Sequence, residues 1–261
     1  MIEKIKGLQL TTVEPAPIGF SGDDVYLIEN GYQGQDVVVK MSTRDEVYYE
    51  GKNLEWLSSK IKVPKVYEID RIENYNYVIM QKLPGKMLQE AFEYMDVKDV
   101  IIVYAKAIRR FHDLPMEGIP HNHLLTQKIE EARNNVEKGR VKTQYFEREF
   151  KSMSAEEVYK LMLSYQQEEG DIVLCHGDVC MPNMMIDKNG DIGYIDVVQL
   201  GTCNRYLDIA IGLRSLRYNL ELYGHSLSKE YIEVFKKAYG IEKLDIDKIM
   251  FYILLDELTS G

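Results

Sequence analysis

Apolar positions follow two periods along this 261-residue chain. The first third favours strands. Residues 20–29 (FSGDDVYLIE) set a Gly/Ser/Asp turn before the apolar run 25–28. Asn30-Gly31 offers turn chemistry. Residues 36–40 (DVVVK) then make a β-branched strand. Alternation puts Val37 and Val39 on one face and Val38 and Lys40 on the other. Residues 45–59 read as a helix with Val47, Leu54 and Leu57 on one side. Glu50 falls on that same side. A carboxylate there needs a partner, because an unpaired buried charge is costly. Pro64 restarts an extended stretch, and residues 74–80 (NYNYVIM) form another strand. It runs out into Gln81-Lys82-Leu83-Pro84-Gly85, a linker by composition.

Beyond the linker the period becomes helical. Val100, Val103, Ala107 and Phe111, with Tyr104 and Ile108, mark a buried helix face. Ser154-Ala155-Glu156-Glu157 is a capping box that opens a helix with Val158, Leu161, Met162 and Tyr165 inward. Residues 206–220 and 246–258 also read as helices. The pattern predicts an α+β chain of two lobes: a small antiparallel-sheet lobe with one helix over 1–80, a hinge at 81–85, and a larger, mainly helical lobe over 86–261. Neither an internal repeat nor a low-complexity tract interrupts it.

Charge narrows the partners. There are 32 Lys+Arg against 42 Asp+Glu, a net charge of −10. That balance argues against a nucleic-acid backbone or an anionic membrane surface as partner. It suits a cationic small molecule. No apolar run approaches the roughly 18 residues of a membrane span. The opening MIEKIKGLQL lacks the apolar core of a signal peptide. Cys175, Cys180 and Cys203 have no metal-type pairing and read as reduced thiols. A cytoplasmic location is expected on these grounds.

The chemistry concentrates in residues 174–200, LCHGDVCMPNMMIDKNGDIGYIDVVQL. His176-Gly177-Asp178 follows a short apolar stretch, and Asn183 lies five residues beyond the aspartate. Two apolar strands, 184–186 and 192–198, come next, joined by a turn containing Asn189-Gly190. The second strand carries Asp196. An amide and a carboxylate, Asn183 and Asp196, suit a hard Mg²⁺ ion. Asp178 remains to accept a proton from an attacking hydroxyl. His176 could in principle take that proton, but the spacing to Asn183 assigns the role to Asp178. This order, Asp, Asn, hairpin, Asp, is the division of labour of protein-kinase-type phosphoryl transfer. Read singly, the three residues are a turn aspartate, a cap and a strand-end aspartate.

The N-terminal part supplies the complement. Lys40 matches the strand lysine that contacts nucleotide phosphates. A Lys40–Glu50 ion pair would orient it; Glu46 and Glu55 lie off the apolar face. Val38 should lie against the adenine, and Ser21-Gly22 forms the turn over the phosphates. No G-x-x-x-x-G-K-[ST] loop is present, which excludes the P-loop class. His121-Asn122-His123 reads as loop surface, and Cys180 as loop packing.

HGDVCMPN, IDVVQLG, YLDIAIGLRSL and YILLDEL together resemble the aminoglycoside phosphotransferases, in particular the 3′-phosphotransferases that inactivate kanamycin and neomycin. The resemblance covers essentially the whole chain and implies a two-lobe protein-kinase-like fold. It implies Asp178 as the catalytic aspartate, Asn183 and Asp196 as Mg²⁺ ligands, and Lys40, held by Glu50, on the α and β phosphates of ATP or GTP. The hinge backbone near Gln81 and Leu83 would hydrogen-bond the adenine, and Ser21 would lie over the phosphates. Glu147 and Glu149, then Asp256 and Glu257, would take the ammonium groups of the drug and so support resistance. The stretch around Glu147 could equally be an amphipathic helix with a solvated face.

Two departures stand out. Val198-Gln199 stand where the family usually carries a glycine-arginine pair, with Arg205 as a candidate substitute, and Val38 occupies the place where some members stack an aromatic on the adenine. Kinases of choline, fructosamines or macrolides share the HGD-x-x-x-x-N motif. A nucleotide-binding pseudokinase is the non-enzyme alternative, against which the complete set Lys40, Glu50, Asp178, Asn183 and Asp196 argues.

Overall fold

A computed structural model describes residues 1–15, 23–120, 125–165 and 170–259. Ser21, Gly22 and the His121–His123 triplet lie outside the described residues. The chain forms, in order, β1 (Thr12–Pro15), β2 (Asp24–Tyr32), β3 (Gln35–Ser42), α1 (Glu46–Leu57), β4 (Val66–Ile72), β5 (Tyr75–Gln81) and β6 (Lys86–Met87). Helices α2 (Val97–His112), α3 (Leu125–Glu137) and α4 (Ala155–Ser164) follow. Next come β7 (Ile172–Cys175), β8 (Met184–Ile186), β9 (Ile192–Tyr194) and β10 (Gly201–Asn204). Helices α5 (Tyr206–Leu222), α6 (Lys229–Tyr239) and α7 (Ile246–Thr259) complete the described chain.

These elements divide into two compact units. The first comprises Met1–Met87, Gly118–His121 and Asn183–Gln199; the second comprises the remainder. The units are therefore discontinuous in sequence, and the hairpin after Asn183 groups with the N-terminal sheet.

In the first unit five antiparallel strands run in the order β1-β2-β3-β5-β4. Alternation on β3 works as expected. Val37, Val39 and Met41 join Ile5, Ile28, Tyr77 and Ile79 in a buried cluster on one face. Val38 and Lys40 point to the other, which α1 covers with Val47, Leu54 and Leu57. Asn30-Gly31 does not make the hairpin turn. Asn30 adopts φ 49° within a register shift between Ile28 and Tyr32, and the turn falls at Gln33-Gly34, with φ 50° and 74°. Both turn residues are left-handed, as a two-residue hairpin loop requires. A second, three-stranded sheet runs β6-β8-β9.

The second unit is mainly helical. Packing of α2 on α6, and of α3, α4 and α5 on α7, buries Tyr104, Phe111, Phe235, Phe251 and Leu254. Ser154 accepts from the Glu157 amide and Glu157 returns a carboxylate to the Ser154 amide, so the capping box opens α4 as read. Val158 and Met162 are buried beneath it, while Leu161 and Tyr165 are only half-buried. A small antiparallel sheet and a helix in one unit, with helices dominating the other, make this a two-lobe protein-kinase-like fold.

Candidate active site

In the first unit the lysine of β3 is buried among acids. Lys40 Nζ lies 2.8 Å from Glu50 Oε2, 3.0 Å from Asp196 Oδ1 and 3.9 Å from Asp23 Oδ2. Burial works to lower the Lys40 pKa, but Glu50 and Asp196 outweigh it and hold the ammonium above its ordinary range. Position on the apolar side of α1 brings Glu50 here. One turn further on, Asn53 donates to the carbonyl of Val197 at 2.9 Å. The same helix face thus fixes the lysine and the segment after β9. Asp23 is also tied to Arg44 at 2.7 Å. No sequence signal singled it out.

Asp196 was expected inside the second hairpin strand. β9 ends at Tyr194, and Asp196 adopts φ 57°, a left-handed conformation that Asp tolerates better than most residues. The Ile195 amide donates to the Asn183 carbonyl at 3.0 Å, which ties the two ends of the hairpin. The hairpin loop is itself pinned. Asp187 accepts from the amides of Asn189 and Asp191 and pairs with Lys62 at 2.6 Å. Asn183 and Asp196 are both half-buried. Their side-chain oxygens are hard donors, the backbone bond holds Asn183 against the residue just before Asp196, and such a set fits Mg²⁺.

Val38 shares the face of Lys40 and is half-buried. Around the expected hinge, two amides are already committed. Gln81 N–H donates to Lys65 O at 2.8 Å and Lys82 N–H to Asp36 O at 3.2 Å. A base held by this stretch must use other groups than those two donors. Leu83 is buried.

In the second unit the loop after β7 carries Asp178. Backbone outside regular structure must still satisfy its polar groups when buried, and here side chains from the helices do so. Asp208 of α5 accepts from the amides of His176 at 2.8 Å and Gly177 at 2.9 Å. Ser215 Oγ, also on α5, accepts from the Met181 amide at 2.9 Å. Tyr104 of α2 donates to the Val179 carbonyl at 2.7 Å. Gly177 has φ 86°, a conformation open to glycine. From Val173 to Val179, Asp178 is the only residue not buried. His176 is fully buried, and its Nδ1 accepts from the Asp178 amide at 3.3 Å. Burial and the Asp178 carboxylate push the Cys180 thiol up. It stays protonated, in keeping with loop packing.

The four acids expected at the substrate also meet in this unit, around two arginines. Glu147 and Glu149 do not lie in a helix; they follow the short turn Thr143–Tyr145 between buried Phe146 and Phe150. Arg214 contacts Asp256 and lies 3.6 Å from both Glu147 and Glu257. Arg217 reaches Glu147 at 2.5 Å and Glu149 at 3.2 Å. Burial raises the Glu257 pKa, Arg214 opposes this, and Glu147 adds to it; the result is about 7. Neither arginine is assigned by the sequence reading, although Asp208, Arg214 and Ser215 all lie within the YLDIAIGLRSL stretch quoted above. Arg205 is engaged elsewhere, with Asp171 and Tyr239.

Comparison with known proteins gives one consistent result. The sequence model described as "Phosphotransferase enzyme family" matches residues 12–252. An aminoglycoside 3′-phosphotransferase of Niallia circulans is 32% identical, over 98% of this chain and 95% of its own. Another, from Streptomyces fradiae, is 30% identical over 92% of each. Among solved structures, an aminoglycoside-3′-phosphotransferase of type VIII superposes with a TM-score of 0.81 at 25% identity, covering 98% of this chain and 95% of that one.

Proposed function

The chain belongs to the phosphotransferase enzyme family, that of the aminoglycoside phosphotransferases, and on that premise we propose that it transfers the γ-phosphate of ATP or GTP to a hydroxyl of a kanamycin- or neomycin-type aminoglycoside, conferring resistance. The observation that carries this reading is the buried contact set of Lys40 with Glu50 and Asp196. Lys40 and Glu50 meet Asp196, which lies 156 residues beyond the lysine, and phosphoryl transfer calls for these residue types together.

In this reading Asp178 takes the proton of the attacking hydroxyl. An O–P bond forms to the γ-phosphorus, the bond to the bridging β-γ oxygen breaks, and the nucleoside diphosphate leaves. Lys40, oriented by Glu50, offsets charge on the α and β phosphates. Asn183 and Asp196 would hold Mg²⁺, which neutralises phosphate charge when bound. Val38 packs on the base, and the Gln81–Leu83 stretch contributes groups other than the Gln81 and Lys82 amides. The carboxyls of Glu147, Glu149, Asp256 and Glu257 outnumber the guanidiniums of Arg214 and Arg217, and even with Glu257 only about half ionised near pH 7 an excess of negative charge suited to a cation remains. Most of the rate comes from positioning and charge stabilisation.

Replacing Asp178 with Ala tests the assignment. Turnover should fall by about 10³-fold or more, while nucleotide affinity by calorimetry stays within about threefold. Near-parental turnover in Asp178→Ala would remove the proton-accepting role.

A further inference from the structure

We propose that His112 is a positioning residue for the loop that carries Asp178, acting through the carboxylate of Asp208. The proposal rests on reading that loop as catalytic. His112 ends α2, and its side chain is buried. Its Nε2 lies 3.0 Å from Asp208 Oδ2, and its Nδ1 lies 2.7 Å from the Tyr239 hydroxyl. Tyr239 accepts from Arg205 Nη1 at 3.2 Å, so its own proton is free to point at Nδ1. That leaves Nε2 as the protonated nitrogen, donating to Asp208.

Asp208 is the residue this donor holds in place. Its Oδ2 is shared by His112 and the His176 amide, while Oδ1 takes the Gly177 amide. Without the imidazole, nothing described on the α2 side fixes the plane of that carboxylate. Both loop bonds depend on that plane. Burial opposes ionisation of Asp208, but the hydrogen bond that His112 donates, together with that of the Gly177 amide, outweighs it and keeps the carboxyl below its usual range. Loss of His112 would therefore weaken the anchor just where Asp178 begins.

A metal could also be imagined here, since His112, Cys175 and Asp208 present ligand atoms within 4.8 Å of one another. The hydrogen bonding argues otherwise. Cys175 Sγ faces the carbonyls of Cys203 and Asn204 at 3.7 Å, as a thiol donor would, and both Asp208 oxygens already accept amides.

The test compares His112→Leu, which fills the space without a donor, with His112→Gln, whose amide can still donate to Asp208. Amide exchange is read at His176 and Gly177, and at Leu254 and Leu255 of α7 in the same unit. His112→Leu should speed exchange at the two loop amides about 30-fold and at the α7 amides by less than about threefold. His112→Gln should stay within about threefold of the parent at all four. In turnover, His112→Leu should lower kcat about tenfold with KM for the nucleotide within about twofold. General loss of stability would instead raise exchange at all four amides together.

Tyr239→Phe removes one hydroxyl and provides a second measurement if His112→Leu does not fold. Nitrogen-15 shifts should report the Nε2–H tautomer of His112 in the parent and a mixture in Tyr239→Phe. Equal exchange changes at loop and α7 amides would overturn the proposal, as would His112→Gln behaving like His112→Leu. An Nδ1–H tautomer in the parent would do the same. Exchange and tautomer need no substrate, so a chain that phosphorylates no aminoglycoside would fail the functional reading and leave these outcomes intact.

Discussion

Lys40 and Glu50 show what a single side chain's position discloses. Glu50 could be picked from three nearby glutamates because it alone lay on the apolar side of α1, and the structure pairs it with Lys40 at 2.8 Å. Burial makes such a pair consequential, since removing one partner of a buried pair costs about 3–5 kcal/mol. Arg214, Arg217 and Asp208 were not assignable in the same way. Their partners are loop amides and acids brought in by tertiary packing, and nothing in local spacing announces them.

Glu257 gives a prediction at this scale. Its folded pKa is about 7 against an ordinary 4.5, so between these values the folded chain binds the extra proton. Stability from this residue is therefore fully present below about pH 4.5 and lost as pH rises through about 7. Glu257→Gln, which mimics the protonated form, should gain melting temperature relative to the parent as pH goes from 5 to 8. A difference that is flat with pH, or that shrinks, would contradict the shift.

Among elements, the strongly periodic segments were legible and the exceptions have identifiable causes. Helices α2, α5 and α7 and strands β3 and β5 lie where the apolar pattern put them. The apolar run 192–198 predicts a strand through Asp196, yet β9 ends at Tyr194, because an apolar run looks the same whether it is a strand or a buried segment leaving one. Helix α3 buries only Leu125, Lys128 and Ala132, too sparse a pattern to register. Helix α6 did carry end signals, with Ser228 as N-cap and Gly240 in a left-handed C-cap.

The start of β6 depends on a glycine. Gly85 has φ 108°, and a Cβ there would stand 2.2 Å from the Ile186 carbonyl oxygen of β8. Gly85→Ala should therefore cost about 2 kcal/mol or more, read by denaturant unfolding, with the β6–β8 amides the first to lose exchange protection. An alanine variant as stable as the parent would mean that this approach does not constrain the sheet.

For the molecule as a whole, fold class and family were readable because residues 174–200 carry an ordered set, and the family match then spans residues 12–252. Among the described residues no helix is long and apolar enough to cross a membrane. With a net charge of −10 and acids gathered around Arg214 and Arg217, the expected substrate is cationic. Substrate choice was the least legible property, because in the proposed reading it depends on how Glu147, Glu149, Asp256 and Glu257 divide their charge between those arginines and a cation.

The most direct measurement is nucleoside diphosphate release with ATP or GTP and Mg²⁺ across kanamycin, neomycin, a macrolide, choline and a fructosamine, with the mass of each acceptor read alongside. The account predicts turnover with kanamycin and neomycin alone, each gaining one phosphate. Phosphorylation of choline, a fructosamine or the macrolide with the aminoglycosides untouched would contradict it, as would nucleotide binding with no acceptor modified.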